Sequence, residues 1–142
     1  MKPISDEEVR DFGARWFEAA HSQLPIELQR KFFAPGVNIE TWAGVTLPLE
    51  KQFAFHVHLT NESHKVLTMK IEHRPDGRVH VVSKFHWEAT KTDGGPGPKL
   101  ILADCGEDWI VGRGPDGPLR YAHYLTNSMT HLSGSAELDL GK

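Results

Sequence analysis

The sequence predicts an α+β fold: a cone-shaped, strongly curved antiparallel or mixed sheet packed on three N-terminal helices. Apolar residues recur at helical spacing over the first stretch of the chain, at Val9, Phe12, Trp16, Ala19 and Ala20. From Val79 to Asn127 the pattern changes to alternation, in three long runs. Turn signals separate those runs, because glycine supplies positive φ and proline presets a turn φ. Helices followed by consecutive hairpins give segregated α and β layers.

The elements follow in chain order. Ser5-Asp6-Glu7-Glu8 has capping-box spacing, and its acids suit the positive end of a helix dipole. The first helix is expected over Asp6–His21. Pro25 opens a short second helix with Ile26, Leu28 and Phe32/Phe33 on its apolar side, stopped at Pro35-Gly36. Val37–Trp42 alternates as a short strand, and Ala43–Thr46 reads as a turn. Leu47–Leu59 fits two patterns: a strand would alternate Phe53, Phe55, Val57 and Leu59, whereas a helix from Pro48 accounts for Leu49-Glu50-Lys51-Gln52, a run of good helix formers. The helix is preferred. Four strands then form a meander: Val66–His73, Val79–Thr90, Leu100–Val111 and Leu119–Asn127. Pro75-Asp76-Gly77, the Asp93–Pro98 loop and Gly114-Pro115-Asp116-Gly117 are the turns, and the tail from Ser133 reads as loop.

Counting about each turn sorts the sheet into two faces. One carries Val79, Val81, Ser83, Phe85, Trp87 and Ala89, then Ile101, Ala103, Cys105, Glu107, Trp109 and Val111, then Arg120, Ala122 and Tyr124. It is the more apolar and is expected to be buried. The other carries His80, Val82, Lys84, His86 and Glu88, then Leu102, Asp104, Asp108 and Ile110, then Tyr121, His123 and Leu125. A bulge would swap the faces beyond it.

At 142 residues the chain has the size of one domain and can bury a full core without a staple. Its single cysteine, Cys105, excludes an internal disulfide and suits a reducing compartment. The formal charge of −3, with signs interspersed, argues against a nucleic-acid surface. No apolar run reaches membrane-spanning length and no signal-peptide pattern opens the chain, so a cytoplasmic protein is expected.

Ala14-Arg15-Trp16-Phe17-Glu18, Phe33-Ala34-Pro35-Gly36-Val37 and Glu107-Asp108-Trp109, set in this order of elements, resemble the nuclear-transport-factor-2-like superfamily. That group includes SnoaL-like polyketide cyclases, ketosteroid isomerase, scytalone dehydratase and limonene epoxide hydrolase. The resemblance spans about Ser5 to Leu132 and implies a single SnoaL-like domain over residues 1–142. It also implies a cone-shaped cavity. Where ketosteroid isomerase has its oxyanion tyrosine, its aspartate base and its second acidic donor, this chain has Trp16, a position near Thr41, and a position near Trp109. None of the three roles is retained, which argues against that chemistry. Scytalone dehydratase uses paired histidines, a part open to His56 or His86.

The residues define the candidates. Trp16, Phe53, Trp87 and Trp109 are expected to line a pocket for a small hydrophobic or aromatic molecule, with Trp42 as a further aromatic; core packing is the competing role. His56, Glu107 and Tyr124 are the candidate catalytic set. Glu107 should lie opposite Tyr124, and an aromatic wall raises a carboxyl pKa and lowers a histidine pKa. An alternative set is His86, Asp104 and His123, with His86 opposite Asp104 and His123 opposite Asp108. His56-x-His58-x₃-Glu62 with His123-x₃-Asn127 has cupin-like ligand types, but the cupin glycines are absent, and neither metal nor other cofactor is expected. Val82, Leu102, Ile110, Tyr121 and Leu125 on the outer face suit a homodimer surface. Two functions from different classes follow. One is acid/base isomerisation, dehydration, cyclisation or hydrolysis without a cofactor; the other is a non-catalytic binding or assembly subunit.

Overall fold

The computed structural model describes residues 2–92 and 99–136; the expected Asp93–Pro98 loop and the end of the tail lie outside them. Three helices, α1 (Asp6–His21), α2 (Ile26–Arg30) and α3 (Leu49–His56), pack on one six-stranded sheet. Its strands are β1 (Ile39–Thr41), β2 (Thr46–Leu47), β3 (Leu59–His73), β4 (Val79–Lys91), β5 (Lys99–Arg113) and β6 (Leu119–His131). Their order across the sheet is β2-β1-β6-β5-β4-β3. Only β1–β6 is parallel, so the sheet is mixed, as expected.

The first helix occupies the expected residues, and its capping box forms in both directions between Ser5 and Glu8. Leu47–Leu59 contains the preferred helix: α3 begins directly after Pro48, its N-cap, whose ring fixes φ at −59° and whose missing N–H cannot continue the strand ladder. Four boundaries differ from expectation. α2 ends at Arg30, so Phe32 and Phe33 pack on the core from the segment after it and not from the helix. β1 keeps only the centre of Val37–Trp42, and Thr46–Leu47 folds back on it as β2 around positive-φ Gly44. That turn leaves Trp42 39% exposed, so it lines no interior cavity. β6 runs on to His131. β3 starts at Leu59, not Val66, because two bulges hide its alternation.

Those bulges decide what faces inward. Leu59 is buried; the register then shifts between Thr60 and Ser63, where Asn61 has φ of 51°, and Glu62 and His64 turn toward the interior. A second shift beside Leu67 restores odd numbering, so Met69 and Ile71 pack on the core. An extra residue in one strand has this effect wherever side chains alternate with period two.

β4 and β5 keep a continuous register, and His86 pairs with Asp104. Every residue from Val79 to Ala89 and from Ile101 to Val111 assigned to the inner face is buried. β6 carries the corrections. Its register shifts opposite Ile110/Val111 and again opposite Gly106/Glu107, which makes Ala122 and Asn127 extra residues. The hairpin pairs Tyr121 with inner-face Val111, so Tyr121 turns inward instead of outward, Arg120 and the extra residue Ala122 are half-buried on the other side, and Tyr124 beyond the bulge stays inside. Glu107 pairs with Thr126 and Tyr124 with Trp109. His123 pairs with Ile110, not Asp108.

The core lies between α1 and the inner sheet face. Trp16, Phe12, Tyr121 and Trp109 are each at most 2% exposed. Phe12 and Tyr121 ring centroids are 4.7 Å apart, and Trp16 meets Phe33 edge-on at 5.0 Å. Full burial of one large apolar side chain contributes roughly 1.5–3 kcal/mol, so this aromatic layer fixes the helix on the sheet and with it the walls of the interior cavity. No helix of the described residues is long and apolar enough to cross a membrane.

Candidate functional site

An interior cavity of about 70 Å³ opens between α1, α3 and the inner sheet face. Trp16 and Phe17 come from α1, Gln52, Phe55 and His56 from α3, and His64, Phe85, Trp87, Cys105, Glu107, Tyr124 and Thr126 from the sheet. Trp16, Trp87, His56, Glu107 and Tyr124 are thus brought together on one cavity. Phe53 and Trp109 are not on its wall. On α3 the inward positions are Gln52, Phe55 and His56, which turns Phe53 aside. Trp109 is wholly buried one pair further along β5 and serves as core.

Glu107 is the buried acid of this cavity, 4% exposed. Tyr124 donates to its Oε1 at 2.7 Å, Trp109 Nε1 donates to the same oxygen at 3.1 Å, and Thr126 donates to Oε2 at 2.8 Å. Trp16 Nε1 in turn donates to the Tyr124 hydroxyl at 3.1 Å, giving a relay from helix to carboxyl. The sequence expected the Glu107–Tyr124 contact from a directly opposed pair. It forms instead on a diagonal, because the β6 bulge inserts Thr126 opposite Glu107. Burial pushes the Glu107 pKa up to about 7, and the hydrogen bonds from Tyr124, Thr126 and Trp109 pull only part of the way back. The carboxyl is therefore near half-protonated at neutral pH, where an acid/base group works best. Tyr124, buried beside Glu107, is pushed well above its ordinary range and stays a donor.

Facing this acid is a second polar set. The Gln52 amide nitrogen lies 2.7 Å from His56 Nε2. An amide nitrogen only donates, so Nε2 accepts and the ring proton sits on Nδ1. Nδ1 then donates to Glu62 at 3.0 Å. Trp87 Nε1 also donates to Glu62, at 3.1 Å, and the Glu62 side chain is 3% exposed. Beside them His64 stacks on Phe17 at 4.2 Å and 6°, and its Nδ1 meets Nε2 of His21 from the last turn of α1. Burial, then the neighbouring His21, hold the His64 pKa well below the ordinary histidine value. Glu62 was named in the sequence only within the cupin spacing, and His21, His64, Phe55 and Thr126 were not named as site residues. The signal for Glu62 and His64 was the His/Glu alternation from Leu59, broken by the Asn61 bulge.

The alternative set stands on the outer face. His86 is held between Asp104 at 2.9 Å and Glu88 at 2.8 Å, and these partners, Asp104 first, raise its pKa. Asp108 binds His80 at 3.0 Å rather than His123, and His123 approaches Glu40 at 3.8 Å. The hairpin register and the Ala122 bulge each add one step, which sets His123 opposite Ile110, two residues from Asp108. None of His86, Asp104 and His123 lines the cavity. The cupin spacing also dissolves, since His56 ends a helix and His58 lies exposed beyond it instead of sharing a strand with it. Cys105 is no nucleophile: burial, with Glu107 and Asp104 nearby, pushes its thiol to about 12.

A wider groove of about 670 Å³ runs over α1, α2 and the β5–β6 turn. Glu8 with Arg113 at 2.9 Å, Asp11 with Arg15 at 2.9 Å and Asp116 with Arg120 at 3.0 Å pair along it, and none of its carboxylates is buried. The interior cavity is the better candidate because it concentrates buried titratable groups.

No family model matches the chain, and no curated protein matches its sequence. Solved structures do match. Aln2 from a Streptomyces species is 19% identical with a TM-score of 0.67, covering 92% of this chain and 94% of that one. ActVI-ORFA from Streptomyces coelicolor is 14% identical with a TM-score of 0.65, over 88% and 95%. A Catenulispora acidiphila protein in complex with S-DNPA is 21% identical with a TM-score of 0.65, over 88% and 91%. At these identities the likeness is one of fold, and the fold is that of the SnoaL-like, nuclear-transport-factor-2-like proteins.

Proposed function

We propose that the chain binds a small hydrophobic or aromatic molecule in the interior cavity and acts on it by acid/base chemistry. The single observation that carries this reading is Glu107: a carboxyl with a pKa of about 7, on a cavity wall, held by Tyr124 and Thr126. Trp16 and Trp87 supply aromatic wall. Glu107 transfers the proton, Tyr124 spends its one hydroxyl hydrogen on Glu107 Oε1 and so positions the carboxyl, and His56 is the second polar group on the wall. Isomerisation, dehydration, cyclisation and hydrolysis all need such a set. That a similarly folded protein was solved with S-DNPA supports small-molecule binding by this fold. The cavity is well below the roughly 300–1,000 Å³ of drug-sized sites, so the ligand is about one ring in size.

The rival reading, a non-catalytic binding or assembly subunit, draws support from that same small volume. Saturation-transfer NMR with a panel of one-ring ketones, alcohols and lactones identifies binders, and conversion of each binder is then followed. Glu107→Gln should lower conversion at least about 100-fold and leave the dissociation constant within a few fold. Binding without conversion by the native chain would decide for the rival.

The outer face supports a homodimer, and the cytoplasm suits a chain with one buried thiol. Val82, Leu102, Ile110 and Leu125 remain at half-buried outward positions; Tyr121 has left that patch for the core. Light scattering at micromolar concentration should give twice the 16.0 kDa chain mass, and a monomer would remove the dimer from the proposal.

A further inference from the structure

The pairing of His21 with His64 plays no part in the chemistry proposed for Glu107. Their ring nitrogens, His21 Nε2 and His64 Nδ1, face each other, and a Glu62 carboxylate oxygen completes a group whose ligand atoms all lie within 4.8 Å of one another. We infer that His21, Glu62 and His64 form a binding site for a divalent transition cation of the zinc class, one with open positions.

Ligand chemistry comes first. Two imidazole nitrogens and one carboxylate oxygen are a donor set that zinc and its neighbours accept, at about 2.0–2.2 Å from each atom. Hard cations such as magnesium and calcium prefer all-oxygen shells, so the two histidines select against them. Two ring nitrogens facing one another leave room for a single proton between them, and a cation would use both lone pairs at once.

The supporting shell is present on the same residues. Glu62 is oriented by His56 Nδ1 at 3.0 Å and by Trp87 Nε1 at 3.1 Å, and His56 is itself fixed by Gln52. Outer hydrogen bonds of this kind hold metal ligands in place. His64 is clamped between rings, against Phe17 at 4.2 Å and Phe85 at 5.1 Å. The backbone is set for the purpose too. The bulge at Asn61 turns both Glu62 and His64 inward, and His21 is delivered by the last turn of α1.

Access completes the picture. A surface pocket of about 330 Å³, lined by Gly13, Phe17, His21, His64 and Met69 among others, opens onto the two histidines from outside. His64 also lines the interior cavity that contains Glu107. A cation on this group would thus enter from solvent and sit beside the cavity's polar wall. This group shares only Glu62 with the cupin spacing, whose central His58 is exposed and outside it.

The test uses the full chain, stripped with a chelator and titrated with zinc chloride by calorimetry. One zinc per chain should bind with a micromolar or tighter dissociation constant, and its thermal midpoint should rise with added zinc. His21→Asn, at a half-exposed helix end where folding is least at risk, should weaken binding at least 10-fold and remove the thermal shift. His64→Gln should do the same, while His58→Ala should change neither. Absence of saturable zinc binding, or binding unaltered in His21→Asn and His64→Gln alike, would overturn the site. Glu107→Gln should leave zinc affinity intact, so failure of the acid/base reading and failure of this one are separately visible.

Discussion

Raising the pH from 4.5 to 8 should cost the native fold about 3 kcal/mol through Glu107 alone, and Glu107→Gln should abolish that loss. The sign follows from proton counting. In the unfolded chain Glu107 titrates near the ordinary 4.5, whereas in the fold it titrates at about 7. Below 4.5 both states hold the proton. Between 4.5 and 7 the unfolded chain releases it and the fold retains it, so stability falls as pH rises. Above 7 both are ionised and the loss is complete. The gap, at about 1.4 kcal/mol per unit, gives about 3 kcal/mol. Cys105, Tyr121 and Tyr124 stand beside Glu107 but are all pushed upward and stay protonated over this range. His64 works in the opposite sense: its lowered pKa means stability present above about 6.5 and lost as pH falls. The difference between native chain and Glu107→Gln removes that background. Urea unfolding at pH 4.5, 6 and 8 should show Glu107→Gln gaining on the native chain step by step. A difference that is constant with pH would mean that Glu107 is not a buried, upward-shifted acid.

Much of this arrangement was legible because the determining signals are local. Ser5 and Glu8 cap α1 through contacts three residues apart, and Pro48 starts α3 by its own backbone preference. The β4–β5 register was readable because two uninterrupted alternating strands leave a single pairing that buries Val81, Phe85, Trp87, Ala103 and Trp109 together. Bulges are the opposite case. Each is one extra residue whose place is chosen by what lies across the strand. Ala122 carries no mark of it, yet this one extra residue lets Tyr121 and Tyr124 both face inward and puts Thr126 opposite Glu107. Asn61 and Leu67 do the same to β3, which hid His64 altogether. The His21–Glu62–His64 group is therefore a product of tertiary structure: a helix end and a bulged edge strand, separated by some forty residues, meet only once α1 has docked.

That docking rests on a close approach, and a double-mutant cycle should expose it. A Cβ at Gly13 would lie 3.1–3.2 Å from the outer ring atoms of Trp109. Trp109 cannot yield. It is 0% exposed, its Nε1 is bound to Glu107, and its ring is boxed by Tyr121 at 5.3 Å, Phe17 at 6.0 Å and Tyr124 at 6.0 Å. In the native background Gly13→Ala should therefore destabilise, because overpacking of roughly 1–3 kcal/mol outweighs the gain of about 1 kcal/mol from alanine in a helix interior. Trp109→Leu alone should cost about 3 kcal/mol, from lost ring burial and the cavity left under α1. With the large ring gone, Gly13→Ala should reverse sign and stabilise by about 1 kcal/mol, since helix propensity then acts unopposed and the new methyl fills part of the void. Urea midpoints of the four chains give the coupling directly, and it should exceed the few tenths of a kcal/mol expected of independent sites. If Gly13→Ala has the same effect with and without Trp109, the ring does not set the distance between α1 and the sheet.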